Sequence, residues 1–537
     1  MSAMAPQDAT MYWLSKRTRN DLFLLYCFHD EGCPTEELRA SVAERSARID
    51  DLRVRLRELP ADIDYPSWMP CEFAAEQFVE HRLVEPNWVH LVDALGEVLG
   101  TGVDAAVRPW RVHVFRGVVD APGPEDGPAL VAVLQMSHAL ADGRRAAAIA
   151  RALFIESDVR KGDAPPLSYR RTGLVAPSSR GAGGTGVVDG QADAGVSGVC
   201  RSVIPGGETQ ALSTLFARVR EVGWAVVTGG LSIGSAVVAR GQMIVGGRIS
   251  TGTLVDSALG LLCIPVRLAS TAVRGYQAFH AQQQLAYLTD TGRLPPPGVG
   301  FLPSQVNRTV AEGISQHQVR MLVCAAERLR APGDTVTVVV LTAVSLALAR
   351  YLADRGEHVE RLGAQVPMAL PEPSAGSDDD PRNNYRSLGV DLFADEPDLR
   401  LRADKIGTAL ADRRLRARHP LLSAQDRVTA TLPAPLLRRD VDRYPLDTVP
   451  DSIAGHTIVS SVDRGPADLT FGGGRVRFTA GFPAVGSVMH LTHGVHGLGD
   501  TITLSLHADP AVLPDLDTYA SLLRSALDEV IAALRTC

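Results

Sequence analysis

The chain has 537 residues, a length that fits two lobes of about 200 to 250 residues better than one simple core. Its formal net charge of −7 at pH 7 lacks the basic excess of nucleic-acid-binding proteins, so we expect no nucleic-acid partner. The 7 cysteines contain no Cys-x-x-Cys pair, which favours a reducing cytoplasm over a disulfide framework and excludes a paired-cysteine zinc site. Residues 1–19 have no secretory signal pattern, and Met11 is an alternative start to Met1.

Alternating strand and helix patterns fill the first 155 residues. Apolar residues recur at three- and four-residue spacing in the helical patterns, whereas the strand patterns are short and β-branched. The predicted strands are Leu22–Phe28, Phe73–Leu83, Trp110–Val118 and Leu130–Met136. The predicted helices are Thr35–Glu58, Asn87–Leu99, Arg144–Phe154 and, at the C-terminus, Leu516–Leu534. These patterns predict mixed layers of helix and sheet.

A His-x-x-x-Asp-Gly motif follows the last of these strands. His138 comes two residues after the apolar run, and Asp142 and Gly143 precede an alanine-rich helix pattern. A histidine held on a short turn at the end of a buried strand is suited to act as a general base on a hydroxyl. The alternative is a histidine that only packs between strand and helix. The six-residue pattern is weak by itself, so its sequence context decides between the two.

That context contains further motifs in a fixed order. Tyr65-Pro66-Ser67-Trp68, residues 73–82 and residues 108–117 precede the motif, and residues 333–352 and 458–466 follow it. Their order and spacing resemble the bacterial wax ester synthase/diacylglycerol acyltransferase family. This family belongs to the CoA-dependent acyltransferases, which also include the condensation domains of peptide synthetases. The resemblance covers residues 10–155 and 305–535.

The chain departs from the family pattern at three places. Ser137 replaces the first of two adjacent histidines, Thr337 and Val338 replace an Asn-Asp pair, and Ser461 replaces an asparagine. The histidine that carries catalysis in the family is retained as His138. The departures leave the identity of the acyl acceptor open.

The resemblance implies an α/β fold of two lobes, each with a mixed sheet, as in chloramphenicol acetyltransferase and condensation domains, with a tunnel between the lobes. His138 then takes a proton from an acceptor hydroxyl that attacks a long-chain acyl-CoA, and the acceptor is diacylglycerol or a fatty alcohol. Asp142 binds an arginine and fixes the loop, while Gly143 permits a turn and the approach of the CoA arm. No permanently bound cofactor and no metal are implied.

The tetrahedral intermediate needs a hydrogen-bond donor for its oxyanion. Asn384 matches a Gly-Asn position of the family, and Ser460 and Ser461 lie on another strand of the second lobe. Each of the three is a candidate donor or acceptor-side residue. The alternative for Asn384 is an ordinary turn residue after an acidic run.

Composition divides the chain into an N-terminal lobe at 1–160, a Gly-, Ser- and Ala-rich linker at 161–207 and a C-terminal lobe at 208–537. The last of these contains an apolar segment, 224–266. Its uncharged stretches, Trp224–Ala239 and Ser257–Val266, are shorter than the roughly 20 residues that cross a bilayer. They predict buried helices or, alternatively, a peripheral surface on the inner membrane face or on lipid droplets, with Arg240, Arg267 and Arg274 beside it.

Three competing functions remain open. Ser232 lies in a Gly-x-Ser-x-Gly pattern of the serine hydrolase kind, although no ordered Asp and His follow it. His490, His493 and His496 are spaced as a possible metal site, although Gly494 and Gly497 favour a loop there. The lost family residues also allow a catalytically altered relative, which acts as a condensation-type binding module or acylates another acceptor.

Overall fold

A computed structural model describes residues 3–123, 125–155, 251–309, 316–371 and 381–535. The helices are α1 Pro6–Ser15, α2 Thr35–Ser46, α3 Trp88–Leu99, α4 Gly143–Phe154, α5 Thr251–Asp290, α6 Ala326–Leu329, α7 Val336–Ala353, α8 Leu399–Ala417, α9 Ser423–Thr429, α10 Ala434–Arg443 and α11 Leu516–Arg535. The strands are β1 Leu22–His29, β2 Val54–Arg57, β3 Ser67–Pro70, β4 Phe78–His81, β5 Trp110–Val118, β6 Ala129–Met136, β7 Gln318–Ala325, β8 Gly363–Ala369, β9 Tyr385–Asp391, β10 Thr457–Asp463, β11 Thr470–Phe471, β12 Gly474–Phe482, β13 Leu491–Leu498 and β14 Thr501–Ala508.

The first large sheet has the strand order β11-β12-β1-β6-β5-β4. Strand β6 is apolar at seven of its eight positions and buried at all of them, as expected for a central strand that is covered on both faces. It pairs antiparallel with both neighbours. Its last residue, Met136, pairs with Leu22 of β1 on one side and with Trp110 of β5 on the other. The His138 motif therefore begins where this sheet ends.

The second large sheet has the order β7-β14-β13-β10-β8-β9, and it is antiparallel except where β10 pairs with β13 and with β8. Helices α7, α8 and α11 cover one of its faces and bury a core of aliphatic side chains. The opposite face meets strand β12 of the first sheet. The contact is close, because the Ser505 hydroxyl donates to the Gly481 carbonyl and a Cβ at Gly494 would overlap that carbonyl.

Two apolar layers enclose the first sheet. On one face, α1, α2, α4 and α10 pack around aromatic residues that include Trp13, Trp110 and Phe154. On the other face, α3 packs together with residues of β7 from the second sheet. Strands β11 and β12 come from the predicted C-terminal lobe and complete this first sheet. The predicted division into lobes and linker stays a prediction, because residues 156–250 lie outside the described residues.

The predicted elements need several corrections. The helix predicted to reach Glu58 ends at Ser46, because residues 54–57 alternate apolar and charged side chains with period two and pair with Ser67–Pro70 as a short strand. The strand predicted at 73–83 keeps only Phe78–His81 after a turn of 3-10 helix. Helix α1 was not predicted. Elsewhere the predicted strands and helices of the first lobe agree with the structure to within one residue at either end.

The apolar segment of the second lobe is only partly described. The stretch 224–239, with Ser232, lies outside the described residues, and 257–266 belongs to the long helix α5. Among the described residues, one helix, Val336–Ala353, is long and apolar enough to span a membrane, with a mean hydropathy of 2.0, and 67% of it is buried in the protein. This helix is α7, which belongs to the core under the second sheet.

Candidate active site

His138 lies on the turn between β6 and α4 and is partly buried. The residue before it, Ser137, is buried, and its hydroxyl accepts a hydrogen bond from the Ala139 backbone at 3.3 Å. Serine thus stabilises the turn locally at the position of the first of the two adjacent histidines in the motif that the chain resembles. The turn then carries His138 past the end of the first sheet toward residues 382–385, which lead into β9 of the second sheet.

Asn383 makes two hydrogen bonds with His138. Its Nδ2 donates to the backbone carbonyl of His138 at 2.7 Å, and its Oδ1 lies 2.8 Å from His138 Nδ1. A carbonyl can only accept, so the amide orientation is determined and Oδ1 faces the imidazole. His138 Nδ1 must therefore carry the hydrogen. In a neutral imidazole this leaves the lone pair on Nε2, which has no hydrogen-bond partner among the described residues.

Burial lowers the pKa of His138 below its ordinary value, although hydrogen bonds to its own backbone and to Asn383 act in the opposite direction. The imidazole is consequently neutral at pH 7. Neutral charge, a fixed tautomer and an unpartnered Nε2 are the three properties that a general base requires.

Asp8 of helix α1 fixes Asn383 in turn. Its Oδ1 accepts from the Asn383 backbone at 2.8 Å and from Asn383 Nδ2 at 2.9 Å, and its Oδ2 accepts from the Arg382 backbone at 2.9 Å. Burial raises the pKa of this carboxyl, and the hydrogen bonds from residues 382 and 383 oppose the rise. The sequence pattern did not indicate Asp8 or Asn383, because the contacts from Asp8 to Asn383 and from Asn383 to His138 join positions far apart in the chain.

Asp142 lies at the N-terminus of α4. It is the N-cap of α4, where Oδ1 accepts from the Arg145 backbone at 2.9 Å, while Oδ2 accepts from the Asn384 backbone at 3.1 Å. It therefore joins the motif turn to the second sheet. The resemblance implied that Asp142 binds an arginine. Arg145 contacts Asp142 through its backbone N–H, whereas its guanidinium donates to Asp51.

Gly143 is the first residue of α4 and is exposed. Gly143 is not among the residues with positive φ, so its backbone conformation does not require a glycine. A Cβ at this position would lie 3.8 Å from Val462 Cγ2, an ordinary contact. The protein alone therefore tolerates a side chain here, and the approach of a CoA arm stays a prediction.

Asp51 anchors the segment that carries Asn383. Its Oδ1 accepts from Arg145 Nη2 and from Arg382 Nη1, both at 2.7 Å. Burial raises the pKa of Asp51, but the hydrogen bonds and charges of the two arginines outweigh it and hold the pKa below its ordinary value. The guanidinium of Arg382 also lies 4.4 Å from the ring centroid of Trp68. Trp68 belongs to the motif at 65–68, so this motif contacts the candidate active site through the ring of Trp68 and the guanidinium of Arg382.

The candidate oxyanion donors occupy different positions. The Asn384 side chain donates to the Pro371 carbonyl at 2.9 Å, so only its backbone takes part in the motif contacts. On β10, Ser460 and Val462 share one face of the strand, and Val462 is the residue near Gly143. Ser461 is exposed on the opposite face. Of the two serines, Ser460 therefore lies on the motif side.

The three histidines at 490–496 do not converge. His490 pairs with Asp509 at 3.1 Å, and His493 contacts Tyr519 at 2.8 Å in the core under the second sheet. His496 lies on the opposite face of the same strand, against strand β12. The expected loop around Gly494 is wrong, because residues 491–498 form β13 between β10 and β14.

Comparisons with known proteins show what this arrangement resembles. No family model matches the chain, and no curated protein matches it in sequence. Among solved structures, the wax ester synthase/diacylglycerol acyltransferase from Marinobacter aquaeolei VT8 is similar with a TM-score of 0.54 and 16% identity, over 99% of this chain and 100% of that chain. The starter condensation domain of rhizomide synthetase RzmA, a mutant in complex with C8-CoA and Leu-SNAC, gives a TM-score of 0.49 at 13% identity, over 99% and 94%. The chain thus has the mixed α/β fold of the wax ester synthase/diacylglycerol acyltransferase.

Proposed function

We propose that the chain is an O-acyltransferase that moves a long-chain acyl group from acyl-CoA to a hydroxyl acceptor, either diacylglycerol or a fatty alcohol. The observation that carries the proposal is the pair of hydrogen bonds between Asn383 and His138, which places the lone pair of a neutral imidazole on Nε2, an atom without a hydrogen-bond partner in the described part of the chain. The fold of a wax ester synthase/diacylglycerol acyltransferase supports the reaction class.

In the proposed reaction His138 Nε2 takes the proton of the acceptor hydroxyl as the oxygen forms a bond to the thioester carbonyl carbon. The tetrahedral intermediate carries the negative charge on the former carbonyl oxygen, and Ser460 is the candidate donor on the motif side of β10. Collapse breaks the carbon–sulfur bond, and the protonated His138 returns the proton to the CoA sulfur. Ester and free CoA leave, and no covalent enzyme intermediate is needed.

We also propose that the protein meets its apolar acceptor at a lipid surface. Helix α5 exposes Val266, Val273, Tyr276, Phe279 and Tyr287, each at least half exposed. Large apolar side chains concentrated on one helix are typical of peripheral membrane contacts. Arg267 contributes less charge than expected, because it pairs with Asp64 at 3.2 Å and covers the Tyr65 ring.

The test is thiol release from long-chain acyl-CoA with a panel of diacylglycerol, fatty alcohols and shorter alcohols. Wild-type protein should release CoA in step with ester formation, and His138→Ala should lower the rate by roughly two to four orders of magnitude while the protein stays folded. Ser232→Ala should change it by less than about tenfold, because this reaction uses no serine nucleophile.

Other outcomes would select the other functions. Full activity of His138→Ala together with loss in Ser232→Ala would establish the hydrolase alternative. Acyl-CoA binding without release for any acceptor would indicate a condensation-type binding module.

A further inference from the structure

A buried arginine follows strand β10 and has no acidic partner among the described residues. Arg464 directly follows β10, is 6% exposed, and donates from Nη1 to the Thr479 hydroxyl at 2.8 Å. Its guanidinium carbon lies 5.3 Å from the Tyr26 ring centroid. Its Nε has no hydrogen-bond partner, and no carboxylate pairs with Arg464 anywhere in the described part of the chain. A buried charge without a counter-ion is strongly unfavourable.

Neutral polar groups surround the same guanidinium. A Cβ at Gly481 would lie 2.6 Å from Arg464 Nη2 and 2.8 Å from His496 Nε2, so both nitrogens converge over the bare glycine backbone. His496 is 5% exposed, and Thr503 is its neighbour on β14. Within the described ranges, neither Nδ1 of His496 nor the hydroxyl of Thr503 has a hydrogen-bond partner. Burial and the charge of Arg464 hold the pKa of His496 well below its ordinary value, so the imidazole is neutral.

The cluster adjoins the candidate active site. His496 pairs in register with Val462 on β10, and Val462 is the side chain that a Cβ at Gly143 would meet. Arg464 is also part of the 458–466 segment, where the chain has one residue more than the family pattern. None of the steps proposed for His138 uses this arginine.

We propose that Arg464, His496 and Thr503 form a binding site for the carboxylate of a substrate. One cation with neutral hydrogen-bond donors balances one negative charge, which matches a carboxylate, whereas a phosphate dianion would leave a buried charge uncompensated. Carboxylate binding at this site does not depend on the proposed acyltransferase activity. Only the identity of the molecule that brings the carboxylate rests on that activity: it is a hydroxy acid that serves as acceptor, or an acyl chain with a carboxylate at its far end.

Arg477 on the neighbouring strand β12 provides a matched control. It is 7% exposed, similar to Arg464, and its Nε also has no hydrogen-bond partner among the residues that the structure describes. Its terminal nitrogens, however, donate to the backbone carbonyls of Ala121, Glu125 and Gly127. This arginine is held by the protein itself, so it should not contribute to anion binding.

The experiment is calorimetric titration of the full chain at pH 7 with sodium hexanoate, and with 1-hexanol as a neutral probe of the same length. Arg464→Gln should weaken hexanoate binding by roughly tenfold to a hundredfold and leave 1-hexanol unchanged, because only the charge-assisted bonds are lost. Arg477→Gln should bind hexanoate as the wild type does.

Failure of folded wild-type protein to bind hexanoate, or equal affinity in Arg464→Gln, would overturn the site. If Arg464→Gln does not fold, His496→Leu gives the same test, since it removes a donor from an otherwise unchanged site.

Activity assays identify the source of the carboxylate. With hexanoyl-CoA, 6-hydroxyhexanoate is compared with 1-hexanol as acceptor; with 1-hexanol, adipoyl-CoA is compared with hexanoyl-CoA as donor. A higher kcat/KM for 6-hydroxyhexanoate that Arg464→Gln removes assigns the carboxylate to the acceptor. A higher kcat/KM for adipoyl-CoA that Arg464→Gln removes assigns it to the acyl chain. His138→Ala should retain hexanoate binding, so a failure of the acyltransferase proposal leaves the binding result readable on its own.

Discussion

Asn383 and His138 hydrogen-bond to each other in both directions, with 2.8 Å between Oδ1 and Nδ1 and 2.7 Å between Nδ2 and the His138 carbonyl. One neutral amide thus fixes the tautomer of the base without adding charge. A carboxylate at this position would fix the same tautomer but would also stabilise the imidazolium. Burial lowers the pKa of His138, and the hydrogen bond to the neutral Asn383 amide opposes this shift without outweighing it.

Asn383→Asp should therefore shift the pH dependence of kcat/KM. The base acts when neutral, so activity rises with pH through the pKa of His138, and in the wild type this rise lies below the ordinary histidine value because the pKa is lowered. A carboxylate that accepts from Nδ1 favours the charged form and should move the rise upward by about one to three pH units. The pH profile of thiol release measures the shift.

Two further variants control this prediction. Asn384→Asp changes the neighbouring amide, whose side chain bonds Pro371, and should leave the profile in place. The Asp8 carboxylate accepts from Asn383 Nδ2 at 2.9 Å, so Asn383→Asp alone places two carboxylates next to each other. The double variant Asp8→Asn, Asn383→Asp contains a single carboxylate at this place, as the wild type does. An unshifted profile in both the single and the double variant would contradict the role of Asn383.

Asp142→Asn should lower both turnover and thermal stability. Asparagine still caps α4, but its Nδ2 then faces the Asn384 backbone N–H, which loses its acceptor at a cost of about 1–3 kcal/mol. We expect the melting temperature to fall by about 1 °C per kcal/mol in a chain of this length. Asp398→Asn is the matched control, because Asp398 caps α8 with a single bond to the Leu401 backbone. An unchanged melting temperature with collapsed turnover would instead assign Asp142 to the chemistry.

The parts of the site within one short segment could be predicted from the sequence. The buried run of β6, His138 and the cap Asp142 follow each other within a few residues, so hydrophobic pattern and motif identify them together. Asp8 and Asp51 join the site through residues 382 and 383, and Asn383 reaches His138 only when distant parts of the chain have packed, so no local pattern carries that information. Asp51 was even predicted to lie inside a helix, because the residues around it share a helical spacing until the strand at 54–57 pairs with 67–70. Strand β13 was missed for a related reason, since Gly494 permits the close approach of β12 rather than a turn.

Ser460→Ala should reduce kcat more than it changes KM if Ser460 donates to the oxyanion. A donor that acts on the intermediate stabilises the transition state and hardly affects substrate binding, and loss of one such donor costs about a hundredfold to a thousandfold in kcat. Ser461→Ala is the matched control, because this adjacent serine is exposed on the other face of β10. Equal effects of the two substitutions on kcat would remove Ser460 from the proposed mechanism.

Partial sedimentation with anionic liposomes is the expected behaviour of the full chain. The exposed apolar side chains of α5 should partition into the interface, and nearby arginines should add an attraction that weakens as salt rises. Because Arg267 is already paired with Asp64, the apolar part should dominate, so much of the binding should survive high salt.

Replacing Tyr276 and Phe279 by serine should lower the bound fraction at least about tenfold, since each buried aromatic contributes about 1.5–3 kcal/mol. Val84→Ser removes a side chain that is 96% exposed but lies far along the chain from α5, and it should have no effect. Complete recovery of the wild type in the soluble fraction at low salt would favour a water-soluble acceptor instead.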